Sequence, residues 1–179
     1  MNLWEGEILS RFTWKGNEFN VRTVCHPAQD MISAHIDSHL HTGIKFHFPY
    51  PTGIHTDNAC DWDANDKHST EVLKQDTQSA VLKRTLDSTV YYVELKWEGK
   101  ALLKEKEKNY FVLLPQEDAF SFSCAFTANE PDQLTVLPDF FEVESLAKNH
   151  WVNFWEEGAA IDFSHCTDPR AKELERRVV

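Results

Sequence analysis

Between positions 57 and 68 the chain reads Asp57-Asn58-Ala59-Cys60-Asp61-Trp62-Asp63-Ala64-Asn65-Asp66-Lys67-His68. Carboxylates, amides and an indole in one short run are groups that can hold a polyhydroxylated ligand. Planar polar side chains take two neighbouring hydroxyls at once, and a flat Trp face lies under the C–H groups of a sugar ring. Asp61, Trp62, Asp63 and His68 are therefore the candidate ligand-lining residues. Dense oxygen ligands would also suit calcium. However, Asp57, Cys60 and Asp61 do not follow the D-x-[DN]-x-[DN]-G spacing, and no Glu closes the loop. A plain solvated surface loop is the third reading of the same residues.

Other clusters carry less. His35 and His39 would share a strand face with His41 nearby, but no fourth ligand follows at a fixed spacing, so exposed strand and turn positions account for them. No G-x-S-x-G, P-loop, H-E-x-x-H or glycine-rich dinucleotide motif occurs. Acidic pairs are plentiful, but two carboxylates that cleave a glycosidic bond must sit about 5–9 Å apart on opposite sides of it. The sequence offers no basis for choosing such a pair. No catalytic residue, metal ligand or cofactor site is assigned.

The elements that would position these residues follow from periodicity. Phe120, Phe122, Cys124 and Phe126 alternate with Ser121, Ser123 and Ala125, a period of two with one face buried and the other wet. Tyr91, Val93, Leu95 and Trp97 repeat the pattern, as do Ile44, Phe46 and Phe48, and Ile32, Ala34 and Ile36. Ile8–Trp14 and Phe19–Cys25 flank Lys15-Gly16-Asn17, which reads as a hairpin turn. Alternating strands joined by short turns predict antiparallel sheets packed face to face. One connection, from Pro49 to about Thr70, is unusually long, and loops of that kind tend to be functional or disordered.

After Pro138 the period changes. Val143, Leu146, Ala147, His150, Trp151, Phe154 and Trp155 form one helical stripe, with Asp139 and Glu142 spaced as a capping box and Gly158 placed for the C-terminal turn. The rings of Trp151, Phe154 and Trp155 could stack on sugars, but this spacing is characteristic of a helix underside packed on a sheet. A short β-like stretch, Ala160 to Phe163, follows. A second helix starts at Asp168-Pro169, with Asp as N-cap and Pro at the first helical position; no Gly, Asn or Pro ends it before Val179. It reads as an element whose partner lies further along a longer chain.

Composition sets the frame. A chain of 179 residues with 41% apolar and 12% aromatic content, including six Trp and twelve Phe, can bury a core and is not a disordered segment. The formal charge of −11, from 29 acidic against 18 basic side chains, repels phosphate backbones and argues against nucleic acid as a partner. No apolar run of about 18 residues exists to cross a bilayer, and residues 1–11 do not read as a signal peptide. Nothing assigns a cellular compartment. The four cysteines at 25, 60, 124 and 166 form no CxxC pair and read as free thiols, with a Cys25–Cys60 disulfide as the alternative.

The stretch His150-Trp151-Val152-Asn153-Phe154-Trp155-Glu156-Glu157-Gly158-Ala159-Ala160-Ile161-Asp162-Phe163-Ser164 resembles the W-x-x-F-W…(I/V)-D-(F/L) junction of six-hairpin glycosidases. Leu3-Trp4-Glu5-Gly6, Cys25-His26-Pro27-Ala28-Gln29-Asp30, Phe48-Pro49-Tyr50-Pro51 and Asp61-Trp62 are similar to sandwich-domain segments of enzymes related to the kojibiose and maltose phosphorylase clan. The run from Asp168 to Arg176 resembles the linker helix leading into the barrel of those enzymes. The resemblance implies a mainly β fold: an antiparallel, galactose-mutarotase-like supersandwich with one amphipathic helix packed on it. Residues 1–137 would form the sandwich, 138–165 the helix and short strand closing it, and 166–179 the start of a linker helix. It further implies that the chemistry belongs to an (α/α)6 catalytic barrel outside this chain. The 49–70 loop would then lean over the active-site mouth. A freestanding carbohydrate-binding module is the alternative.

Overall fold

A computed structural model describes residues 1–39, 42–56, 58–132, 134, 136–159 and 161–178. Among these, the strands in chain order are β1 (Glu7–Trp14), β2 (Asn17–Cys25), β3 (Met31–Asp37), β4 (Ile44–His47), β5 (Tyr50–Pro51), β6 (Cys60–Asp61), β7 (His68–Gln75), β8 (Ser79–Leu86), β9 (Thr89–Trp97), β10 (Ala101–Glu107), β11 (Tyr110–Pro115) and β12 (Ala119–Thr127). Helices α1 (Phe140–Phe154) and α2 (Ala171–Val178) follow. The strands build a seven-stranded sheet in the order β1-β2-β3-β12-β9-β8-β7, a three-stranded sheet β10-β11-β4 and a two-stranded ribbon β5-β6. Every pairing is antiparallel. The fold is an antiparallel β-sandwich carrying one long helix.

The first hairpin shows how local chemistry sets register. Lys15 and Gly16 both adopt positive φ, 50° and 77°, the mirror-image turn whose twist matches that of the flanking strands. That places Trp14 opposite Asn17 and Phe12 opposite Phe19. The period-two positions then select the core. Leu82, Val93, Leu95, Trp97, Phe120 and Cys124 from the large sheet meet Leu103, Phe111 and Leu113 from the small one, with Phe46 and Phe48 packed at the margin. Burial of each such aliphatic or aromatic side chain contributes roughly 1.5–3 kcal/mol, and the interior of the sandwich is therefore the main source of stability.

The large sheet is covered on its outer face as well, which corrects the expectation of a wet face on β12. Ser121 and Ser123 are buried. Helix α1 lays Phe140, Val143 and Ala147 on Val24, Met31 and Ala125 there. Ser123 Oγ donates to Pro138 O at 3.0 Å, and Ser121 Oγ lies 2.7 Å from His35 Nδ1, so these hydroxyls are buried with partners. The chain leading to α1 is laced across β7 and β9: Lys74 Nζ donates to Pro131 O and Lys96 Nζ to Leu137 O, both at 2.5 Å, while Tyr92 Oη donates to Glu130 at 3.2 Å.

Helix α1 begins as its spacing predicts. Asp139 accepts from Glu142 N at 2.9 Å and Glu142 accepts from Asp139 N at 3.0 Å, a complete capping box. It ends in a five-residue π-turn, Trp155–Ala159, with Gly158 at φ 107°. Three further expectations are corrected. Residues 161–163 form no strand: Phe163 N donates to Glu175 instead of to a neighbouring strand (Ala160 lies outside the described residues). Helix α2 starts at Ala171, because Asp168 and Pro169 form a turn in which Asp168 Oδ1 accepts from Arg170 N at 2.8 Å. The long connection after Pro49 also contains the β5-β6 ribbon, and His68 already belongs to β7. All four cysteines are free thiols, three of them exposed and Cys124 buried.

Candidate functional site

The loop rich in Asp, Asn and Trp is built from its ribbon upward. Tyr50 pairs with Asp61 and Pro51 with Cys60. Thr52 tightens the bend, donating from its backbone to Ala59 O at 3.0 Å and from Oγ1 to Asn58 O at 2.8 Å. Asp61 Oδ1 then accepts from the backbone of Asp63 (3.0 Å) and Ala64 (3.2 Å). That Asp-centred turn commits the Asp61 carboxylate to the backbone and throws the next side chain outward. Trp62 is half exposed and its ring centroid lies 4.7 Å from His47, which in turn lies 5.0 Å from Tyr110. An indole, an imidazole and a phenol thus form a continuous row on the surface, with Asp63 exposed beside it. Asp57 lies outside the described residues.

His68 has a different place. It is buried, and its Nδ1 lies 2.8 Å from an Arg84 Nη1 that only donates, so Nδ1 is the acceptor and the ring is neutral. Burial first, and the Arg84 charge second, hold its proton affinity below that of an ordinary imidazole. Arg84 also donates to Thr70 Oγ1 at 2.7 Å, to Asn109 Oδ1 at 3.3 Å and to Pro49 O at 3.4 Å, and its guanidinium lies over Phe48 at 4.8 Å. Asn109 is fully buried in the β10–β11 turn at φ 63° and donates to Asn65 Oδ1 at 3.2 Å. These residues hold both ends of the 49–70 loop from beneath. Tyr50 completes the support: its hydroxyl donates to Asp87 at 3.1 Å, and that hydrogen bond, with burial and the carboxylate's charge, raises the phenol's pKa.

Of the four predicted lining residues, Trp62 and Asp63 therefore face solvent, Asp61 shapes the turn and His68 lies below it. His47, Tyr110, Arg84 and Asn109 were not singled out. One signal for Arg84 exists in the sequence, since it continues the inward parity of Ala80 and Leu82 along β8. Asn109 has the turn signal Lys108-Asn109, but nothing local points to its burial.

The remaining clusters resolve structurally. His35 packs between Phe140 and Phe141 and lies 3.3 Å from Asp37; it is half-buried, where an exposed position was expected. His39 is exposed and 2.8 Å from Asp118, and His41 lies outside the described residues. Among the described residues no three His, Cys, Asp or Glu side chains converge on one point. The rings of α1 do not all lie on the sheet as expected. Trp155 donates from Nε1 to Leu3 O at 2.8 Å and stacks on Trp4 at 6.4 Å, so the aromatic end of α1 clamps the N-terminal residues 3–6.

No protein-family model matches the chain, and no curated protein does. Among solved structures it is similar to one titled "Putative kojibiose phosphorylase from human microbiome", with 12% identity, a TM-score of 0.48 and coverage of 96% of this chain. The matched region is 23% of that protein's length.

Proposed function

We propose that this chain is a noncatalytic N-terminal sandwich domain of a carbohydrate-active enzyme, a glycoside hydrolase in the broad sense. It would support the catalytic barrel and lend its 49–70 loop to the barrel's entrance. The observation that carries the docking part is the apolar surface around the end of α1 and on α2. Trp4, Phe154, Ile161 and Leu174 are each 40% exposed or more, beyond what scattered surface residues of a free module need. Phe154 and Ile161 belong to the stretch resembling the sandwich-to-barrel junction and Leu174 to the run resembling the linker helix, with Trp4 stacked on Trp155 beside them. On this reading Trp62 is the sugar-facing residue and Asp63 its hydroxyl acceptor.

The test is enzymatic and optical. The chain alone, incubated with gluco-disaccharides with and without phosphate, is expected to release neither free sugar nor sugar phosphate. An environment-sensitive apolar dye should fluoresce with it and dim in Phe154→Ser and Leu174→Ser variants. Turnover by the isolated chain would overturn the proposal, as would a dark dye. A freestanding carbohydrate-binding module is the second reading, favoured by the Trp62–His47–Tyr110 row. It requires calorimetric binding of an oligosaccharide that Trp62→Ala abolishes.

A further inference from the structure

The seven-stranded and three-stranded sheets end in four edge strands, β1, β7, β4 and β10. An open edge offers unpaired N–H and C=O groups to any passing strand, and bulges, clustered charges or shortness normally blunt it. Three of these four are blunted. β7 breaks register between Val72 and Lys74, and the Lys74 side chain is tied to Pro131 O. β10 breaks register between Glu105 and Glu107, within the charged run Lys104-Glu105-Lys106-Glu107. β4 is four residues long.

β1 has none of these devices. It pairs with β2 over eight residues without a break and contains no proline. The Trp14–Asn17 pair closes a two-residue turn, so Ile8, Ser10, Phe12 and Trp14 bond to β2. Glu7, Leu9, Arg11 and Thr13 therefore turn their N–H and C=O groups outward. Glu7 shows this parity directly: its N donates to Asn2 O at 3.0 Å and its O accepts from Asn2 N at 2.7 Å. Among the described residues nothing bonds to the outward main-chain groups of Leu9, Arg11 and Thr13. The side chains along this edge are apolar and open, with Ile8, Leu9, Phe12 and Trp14 each 40% exposed or more. Arg11 is exposed too, and among the described residues it joins no ion pair.

Charge decides what fits. Two copies joined by a two-fold axis would pair β1 antiparallel, and the register that uses all three free residues sets Arg11 directly opposite its own counterpart. Like charges opposite each other destabilise a ladder, and each copy also carries a net −11. Sliding one way shortens the ladder into the Lys15-Gly16 turn. Sliding the other way runs the incoming strand against Asn2, which already holds the outward groups of Glu7. We infer that the Leu9–Thr13 edge of β1 receives one extended strand of a partner protein, with a carboxylate opposite Arg11 and apolar side chains opposite Ser10 and Phe12. Main-chain bonds to the three free residues hold the strand, and Arg11 selects its charge. The inference goes beyond the proposed function and does not rest on it.

The experiment is amide hydrogen exchange, read residue by residue by NMR on the whole chain. The probe is a capped heptapeptide of alternating valine and threonine with glutamate at its centre, and sedimentation follows oligomeric state. Saturating peptide should slow exchange at Leu9, Arg11 and Thr13 by about tenfold or more. The amides of Ser10 and Phe12, already bonded to β2, should not change. A peptide with lysine at its centre should bind about fivefold more weakly. Arg11→Glu, at an exposed position where the melting curve should not move, should invert that preference. Unchanged exchange at the three amides with millimolar peptide would overturn the inference. So would a preference that Arg11→Glu leaves as it was, or a concentration-dependent dimer that protects the same amides without peptide, which would make a second copy the occupant.

Discussion

The guanidinium of Arg84 lies 2.8 Å from Nδ1 of His68, both side chains are buried, and among the described residues no carboxylate pairs with that charge. The charge is instead dispersed over neutral acceptors: an imidazole nitrogen, the Thr70 hydroxyl, the Asn109 amide and backbone carbonyls. A buried cation is tolerated only when its donors are so occupied. The arrangement ties β7, β8 and the β10–β11 turn to the first residues of the 49–70 loop.

Arg84→Ala should therefore cost about 3 kcal/mol, because it strands several buried acceptors at once. Urea denaturation measures it. Arg84→Lys should recover only part of the loss, since an ammonium cannot reproduce the planar fork of donors.

The same pair sets an acid dependence. The folded state holds the His68 pKa below the ordinary imidazole value of 6.5. In the unfolded chain His68 protonates first as pH falls, so the unfolded state binds more protons in that window and gains from acid. The stabilisation from neutral His68 is fully present above pH about 6.5 and is lost as pH falls through the lower folded value. Denaturation midpoints taken from pH 7.5 to 5 should decline accordingly. His68→Gln, which keeps an acceptor but does not titrate, should flatten that part of the slope.

Cys124 gives the opposite limb. Burial between the sheets pushes its thiol up to about 12 from 9.0, so the neutral form is favoured on folding. That contribution is complete below pH 9 and fades as pH rises toward 12. A thiol-specific reagent at pH 8 should label Cys25, Cys60 and Cys166, which are exposed, and reach Cys124 only after unfolding.

Gly6 tests the aromatic clamp. Its φ is 68°, and a Cβ there would lie 2.0 Å from Trp151 Cδ1. Gly6→Ala should displace the N-terminal residues from α1, cost about 1–3 kcal/mol and expose the Leu3–Gly6 stretch to early proteolysis. A melting curve would show the first effect, and limited proteolysis with chymotrypsin, which cleaves after Leu3 and Trp4, the second.

Elements set by local rules were legible from the residues. The Lys15-Gly16 hairpin, the period-two strands and the Asp139–Glu142 capping box each depend on neighbours a few positions apart, and each stands where its spacing puts it. The exposed tip of the candidate loop was legible for the same reason, since Asp61 makes a local turn that projects Trp62. His68 was misread because composition cannot report burial. It directly follows the exposed pair Asp66-Lys67, yet its place is decided by Arg84, 16 residues on, and Asn109, 41 residues on.

Periodicity by itself determined that this is a chain of antiparallel strands followed by an aromatic helix, because side-chain direction repeats with the backbone. Only the tertiary structure decided which faces are covered. Ser121 and Ser123 look like solvent positions but lie under α1, while Phe12 and Trp14 look like core and stand open beyond the edge of a three-stranded sheet. How far one sheet extends over another depends on contacts between distant segments, and no local spacing encodes it.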